Sequence, residues 1–236
     1  MTTAKVLNCN ANLLFIVEKM KIVALELLTA DIEGTAAFYH KKMGLAVLST
    51  NKSSVSFAAG STKLTFKYSK NTRAVYHFAF DIPNNKLFEA FDWMKKEVEI
   101  LDITPSEKIA DFYNWDAKSF YFYDNNGNVV EFIARYCVVN ASDTAFDGSS
   151  VVSVSEIGFV AKDVSVFSEE LFERYHLSVF SKQPKLDKFI VLGTDTGLFI
   201  LSAENRNWYP TDTKCQSFWI KVVFEHNGII NEMEVI

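Results

Sequence analysis

The sequence predicts an α+β protein built from repeated βαβββ units. Two observations support this prediction. Nearly half of the 236 residues are hydrophobic and 21 of them are phenylalanine, a composition that suits half-buried strands in a globular protein. In addition, one order of segments, a strand followed by a helix and three strands, returns along the chain, and such a return indicates internal repeats.

The first unit starts with residues 21–28, a run rich in Ile, Val and Leu that is typical of a strand. Thr29 or Asp31 is suited to cap the helix that follows, and Gly44 is suited to the position just past its end. Three strand-like segments complete the unit: 45–49, 54–59 and 63–68.

The second unit opens with a predicted strand at 76–81. Apolar residues then recur on one face over 86–98 and predict a helix. After a long segment, 101–118, two strands are predicted at 119–123 and 128–135. The turn between them is rich in Asp, Asn and Gly, which tolerate positive φ.

A polar stretch at 140–150 predicts a linker, after which the first pattern returns over about 152–202. Residues 217–224 predict the first strand of a fourth, truncated unit. The expected organisation is an N-terminal extension, a domain of two units, a linker and an incomplete second domain: 1–19, 20–138, 139–151 and 152–236.

Charge and cysteine content narrow the classes of partner. The net charge is −5 and no long basic run is present, which argues against a nucleic-acid partner. The three cysteines are far apart and form no CxxC pair, so a reducing, cytoplasmic location is expected. The apolar run at 13–17 is too short to span a membrane, and no membrane partner is expected.

Three motifs mark the first half of the chain. Asp31, Phe38-Tyr39 and Met43-Gly44-Leu45 mark the first helix, His77 lies in the strand at 76–81, and residues 122–132 read FYDNNGNVVEF. Together they resemble the vicinal oxygen chelate superfamily, which contains glyoxalases, bleomycin-resistance proteins and extradiol dioxygenases. The resemblance implies half-open mixed β-barrels of glyoxalase/bleomycin-resistance type.

The resemblance also implies a site. In this superfamily a histidine on the first strand and a glutamate on the last strand of paired units bind one divalent metal, which binds vicinal oxygens of a substrate. These roles fall on His77 and Glu131, and a neutral imidazole and a carboxylate suit Fe, Mn, Ni or Zn. The implied activity is that of a glyoxalase-like lyase or isomerase, or of a ring-cleaving dioxygenase, acting on a small oxygenated molecule.

The first unit departs from the family pattern. The ligand positions fall on Ala24 and near Thr65, which are poor ligands. Glu26 shares a strand face with Ala24 and is a candidate to assist the metal or to act as a base. The missing ligands equally favour a non-catalytic, small-molecule-binding protein of the bleomycin-resistance type.

Three aromatic residues are candidates for substrate binding, and the second half of the chain is expected to be mainly structural. Phe112, Tyr113 and Trp115 are candidates to line an apolar substrate pocket, the alternative being that they pack a loop onto the sheet. Glu156, which matches Ala24 in the third unit, is expected to be solvated or ion-paired in a mainly structural half. An exposed edge at the truncated fourth unit makes a homo-oligomer a further alternative.

Overall fold

The computed structural model describes residues 19–236. The predicted N-terminal extension, residues 1–19, therefore lies outside the described residues except for Lys19. The described chain has 13 strands in two curled sheets with few helices, which confirms the predicted α+β class. No helix within residues 19–236 has both the length and the apolar character that crossing a membrane requires.

The first two units follow the predicted order of elements. The first contains β1 (Met20–Thr29), α1 (Ile32–Ala36) with a π-helical continuation (Ala37–Lys42), β2 (Ala46–Thr50), β3 (Ser54–Ala59) and β4 (Thr62–Tyr68). The second contains β5 (His77–Ile82), α2 (Leu87–Met94), β6 (Ala110–Phe112), β7 (Ala117–Tyr123) and β8 (Val129–Arg135). The helix α2 is shorter than predicted, and β6 lies in a segment for which no strand was expected.

The second half is a shortened copy of the same pattern. Its elements are β9 (Ser153–Ala161), α3 (Val164–Tyr175), β10 (Phe189–Thr194), β11 (Gly197–Ala203), β12 (Ile220–His226) and β13 (Ile229–Val235). The third unit has only two strands after α3, β10 and β11, because Val179 makes a single bridge to Leu192 instead of a full strand. Equivalent aspartates begin the two related helices: Asp31 accepts a hydrogen bond from the Gly34 amide, and Asp163 accepts one from the Val166 amide.

Each sheet joins units from both halves of the chain. Sheet A has the order β13-β12-β1-β4-β3-β2, and sheet B has the order β10-β11-β9-β5-β8-β7-β6. The central contacts are antiparallel pairs, β1 with β12 and β5 with β9. The polar stretch predicted as a linker thus connects β8 to β9 within one sheet. In sheet B the second unit pairs with the third through β5 and β9.

The main core lies between the sheets and is rich in phenylalanine. Along β5, Phe78, Phe80 and Ile82 point into this core and are fully buried. Because side chains alternate along a strand, His77 and Asp81 point to the opposite face of sheet B. That face carries a second, smaller apolar cluster, to which the loops of both halves contribute.

Candidate metal centre

Three potential metal ligands meet on the outer face of sheet B. Strands β8 and β9 lie on either side of β5, and Ala79 of β5 is paired both with Glu131 of β8 and with Glu156 of β9. The two glutamates therefore flank the small Ala79 side chain, and His77 lies one pleat away on the same face. All three polar side chains are buried.

The hydrogen bonding of His77 leaves one ring nitrogen free to bind a metal. Its Nδ1 lies 3.0 Å from the carbonyl oxygen of Val129, and since a carbonyl only accepts, Nδ1 carries the proton. Burial lowers the pKa of His77, against the opposing charge of Glu156, so the ring is neutral near pH 7. Nε2 then offers a lone pair toward the glutamates, the arrangement usual for metal-binding histidines.

The spacing of His77 and Glu131 fits one divalent cation, and Glu156 lies close to the same point. His77 Nε2 lies 3.7 Å from Glu131 Oε2, and the ligand atoms of His77, Glu131 and Glu156 all lie within 4.8 Å of one another. Two ligands that each lie about 2.1 Å from a transition metal are at most about 4 Å apart, so the His77–Glu131 pair fits such an ion. One imidazole and two carboxylates are the donors that Fe, Mn, Ni and Zn accept.

The two buried carboxyls influence each other. Burial raises the pKa of Glu131 to about 7. Burial, and after it the charge of Glu131, raises the pKa of Glu156 to about 7, although Arg135 opposes the shift. Both carboxyls therefore hold their protons more tightly than an exposed glutamate does, and a cation at this site would compete with those protons.

An ion pair with Arg135 fixes the position of the Glu156 carboxylate. This arginine is completely buried at the end of β8 and donates hydrogen bonds to Asp81 Oδ1 (2.9 Å), to Ser155 Oγ (3.0 Å) and to Glu156 Oε1. Ser155 and Glu156 reach the same guanidinium because β9 carries a bulge at Ser155 opposite the Ala79–Phe80 step of β5. The bulge thus orients the third candidate ligand.

A cavity of about 230 Å³ opens above the three candidate ligands. His77, Glu131 and Glu156 line it together with six aromatic residues: Phe112, Trp115, Tyr121, Phe189, Trp208 and Tyr209. Trp208 packs over Gly158 of β9, where a Cβ atom would lie 2.5 Å from the indole. A largely apolar cavity with a few convergent polar groups is typical of a small-molecule site.

The structure separates the sequence-predicted site residues into two groups. His77, Glu131, Phe112 and Trp115 line the same cavity. Tyr113 does not, since it is 90% exposed and points to solvent. Nor does Glu26, which lies on β1 in sheet A.

The Glu26 carboxylate instead forms an ion pair with a lysine. Its Oε2 lies 3.0 Å from Lys67 Nζ. It lies on sheet A, whereas the His77–Glu131 pair lies on sheet B, so the structure does not bring Glu26 together with that pair.

Sequence reasoning missed the contribution of the second half. Glu156 is ion-paired, as one of the two expectations held, but it also stands beside His77 and Glu131. Arg135 and Trp208 were not singled out. The signal available for Glu156 was its position at the start of a repeated unit, equivalent to a ligand position of the first unit. The pairing of β9 with β5 is what gives that position its meaning.

Comparison with known proteins identifies the fold. A "putative dioxygenase" from Bacillus subtilis superimposes with a TM-score of 0.59 at 12% identity, over 92% of this chain and 85% of that one. A glyoxalase/bleomycin resistance protein/dioxygenase from Alicyclobacillus acidocaldarius has a TM-score of 0.40 and 15% identity, over 49% of this chain and 92% of that one. A lactoylglutathione lyase from Agrobacterium tumefaciens has a TM-score of 0.40 and 21% identity, over 48% and 91%. No protein-family model and no curated protein sequence matches the chain.

Proposed function

Starting from a fold of the vicinal oxygen chelate superfamily, we propose that this protein is a metal-dependent enzyme that acts on a small oxygenated molecule. The observation that supports the proposal is the convergence of His77, Glu131 and Glu156 at the base of an aromatic-walled cavity. Fold alone does not define a reaction, so the proposal depends on this cluster.

The three residues of the cluster act together in the proposed chemistry. His77 Nε2 and the carboxylates of Glu131 and Glu156 hold the cation. The cation, when bound, polarises neighbouring oxygens of the substrate.

The reaction class has two candidates. A glyoxalase-like lyase or isomerase needs proton transfer beside a polarised oxygen, which the two glutamates can provide. A ring-cleaving dioxygenase needs an aromatic substrate on a metal with open positions, and three protein ligands leave such positions free. The similarity to a structure described as a dioxygenase is compatible with the second class.

Metal content of the purified protein tests the proposal. After reconstitution with Fe²⁺, Mn²⁺, Ni²⁺ or Zn²⁺ in turn and desalting, we expect about one ion of at least one metal per chain in the wild type. His77→Gln and Glu131→Gln should each weaken binding by more than the 10–100-fold typical of outer-shell changes. Glu26→Gln, on the other sheet, is the matched control and should retain the metal. Equal metal content in all four proteins would overturn the proposal.

Two observations favour a second function. Glu156 already has an ion-pair partner in Arg135, and the cavity wall is mostly aromatic. We infer from this an alternative role as a non-catalytic binding protein of the bleomycin-resistance type. In that case an aromatic ligand binds with the same affinity before and after treatment with a chelator, whereas chelator-sensitive binding or turnover supports the enzyme.

A further inference from the structure

We propose that the cavity of sheet B takes a flat anionic ligand, an aromatic or conjugated ring that carries a carboxylate, and that Arg206 at the cavity mouth binds the carboxylate. The inference deepens the proposed function and rests on it for the identity of the site. The observations that support the inference are the shape and the charge of the cavity wall.

A chain of ring contacts shapes the cavity. From the base outward, Trp208 contacts His77 (5.3 Å between ring centroids), His77 contacts Tyr121 (6.3 Å) and Tyr121 contacts Tyr209 (5.7 Å). The chain continues from Tyr209 to Phe112 (6.2 Å) and from Phe112 to Trp115 (5.8 Å). Each of these six rings lines the cavity.

Flat walls favour a flat ligand. Aromatic pairs gain about 0.5–1.5 kcal/mol beyond the burial of area when their rings stack or meet edge to face. Rings that are already packed against one another lose little side-chain freedom when a ligand enters. A planar ring can contact several of these walls at once, whereas a puckered or branched ligand of equal volume contacts fewer of them.

Arg206 is half-buried in the cavity lining, whereas Glu131 and Glu156 are fully buried, which places Arg206 on the solvent side, at the mouth. Among the described residues that line the cavity it is the only one with a permanent positive charge. Its guanidinium lies over the Phe189 ring at 4.9 Å and donates one hydrogen bond, to the Lys188 carbonyl oxygen at 3.2 Å. Within residues 19–236 it forms no ion pair with a carboxylate. An arginine that is held by stacking and retains free donors is suited to bind a carboxylate with two hydrogen bonds.

The charges at the two ends of the cavity give the ligand a direction. Glu131 and Glu156 lie at the base and repel an anionic group there, while Arg206 attracts it at the mouth. Gln183, held by a hydrogen bond from Trp115 Nε1 at 3.2 Å, lines the cavity and offers a further polar contact. The neutral, oxygen-bearing end of the ligand is therefore directed toward the candidate metal ligands.

Binding of three matched probes tests the inference. The probes are 2-naphthoate, its neutral analogue 2-naphthamide, and decahydronaphthalene-2-carboxylate as a non-planar anion with the same carbon skeleton, each titrated by calorimetry into metal-free and Mn²⁺-loaded protein. We expect 2-naphthoate to bind about ten- to a hundredfold more tightly than either other probe, the range of a charge-assisted hydrogen-bonded pair. Arg206→Gln should remove the preference for the acid over the amide, and Arg206→Lys should keep part of it.

The control variant is Arg174→Gln. Arg174 also lies over an aromatic ring, that of Tyr175 at 5.0 Å, but it does not line the cavity, so the preference should be unchanged. Equal binding of acid and amide, or a preference that survives in Arg206→Gln, overturns the role of Arg206. Equal binding of 2-naphthoate and decahydronaphthalene-2-carboxylate overturns the proposal of a planar ligand.

Metal content measured on the same samples separates the two proposals. A metal-binding protein without the anion preference contradicts only this inference. The anion preference in a protein that binds no metal contradicts only the proposed enzyme.

Discussion

The two sheets use the same strand pairing but differ in what they place at equivalent positions. In sheet A, Glu26 of β1 pairs with Thr65 of β4 and with Lys221 of β12, as Ala79 of β5 pairs with Glu131 and Glu156 in sheet B. By this register Ala24 corresponds to His77 and Glu26 corresponds to Ala79. Thr65 corresponds to Glu131, and Lys221 corresponds to Glu156. The candidate ligands are thus replaced by alanine, threonine and lysine.

This difference shows that the architecture does not require a buried ionisable cluster. In sheet A the charges are half-exposed and paired with lysines, Glu26 with Lys67 and Glu232 with Lys221. In sheet B two glutamates and a histidine are buried at a cost in free energy. Since the same fold also forms with exposed ion pairs at these positions, the buried cluster in sheet B supports the proposed binding site.

The largest expected effect comes from breaking one ion pair in each sheet. Arg135→Met leaves Glu156 and Asp81 buried without their partner and should lower the free energy of unfolding by about 3–5 kcal/mol. Lys67→Met removes the exposed partner of Glu26 and should change it by about 0–1 kcal/mol. Urea denaturation of both variants measures the contrast. Similar values for the two would mean that the Arg135 network is as well solvated as the surface pair.

A smaller effect should come from the glycine under Trp208. Gly158→Ala places a Cβ atom 2.5 Å from the Trp208 ring, and such overpacking should cost about 1–3 kcal/mol. Gly158 lies two positions after Glu156, and the equivalent residue of sheet A is Val223, two positions after Lys221. Val223 is only half-buried. Val223→Ala should cost less than about 1 kcal/mol.

The indole identifies the cause of the Gly158→Ala effect. In a Trp208→Leu background the same change should be nearly neutral, which a double-mutant cycle by thermal denaturation measures. An unchanged cost in that background would place the strain in the β9 backbone instead.

Local patterns made much of this fold predictable. Alternation along β5 and β8 assigned His77 and Glu131 to one strand face each, and Asp31 and Asp163 marked equivalent helix starts. These features depend on residues that are close in sequence. The repeat also gave Glu156 an equivalent position in the third unit.

What the sequence did not reveal depends on non-local pairing. The contact of β5 with β9 joins residues nearly 80 apart in sequence, and nothing in either strand specifies the other as its partner. The bulge at Ser155, which turns Glu156 toward Arg135, exists only in that pairing. Glu26 was judged by its strand face alone, and only the sheet assignment separates it from His77. Tyr113 is exposed because the chain makes a short 3₁₀ turn there, which its aromatic neighbours did not predict.

The mildest contrast between the sheets is expected in the pH dependence of stability. Burial raises the pKa of Glu131 from 4.5 to about 7, so the folded protein binds more protons than the unfolded chain between these values. Its contribution to stability is complete below about pH 4.5 and is lost as the pH rises through about 7. The raised pKa of Glu156 acts in the same direction, and the lowered pKa of His77 acts in the opposite direction. Because two carboxyls each contribute at most about 1.4 kcal/mol per pH unit, we expect a net slope of less than about 2.7 kcal/mol per pH unit in the metal-free protein.

Substitutions in each sheet show which residues cause this pH dependence of stability. Glu131→Gln should flatten the fall in unfolding free energy between pH 4.5 and 7, and His77→Gln should steepen it. Glu26→Gln, in sheet A, should leave it unchanged. Because a cation binds the deprotonated carboxylates, the extra stability that Mn²⁺ gives the wild type should grow over the same pH range. Denaturation curves at several pH values measure both trends, and a Glu131→Gln protein with the wild-type slope would show that this carboxyl does not titrate near neutrality.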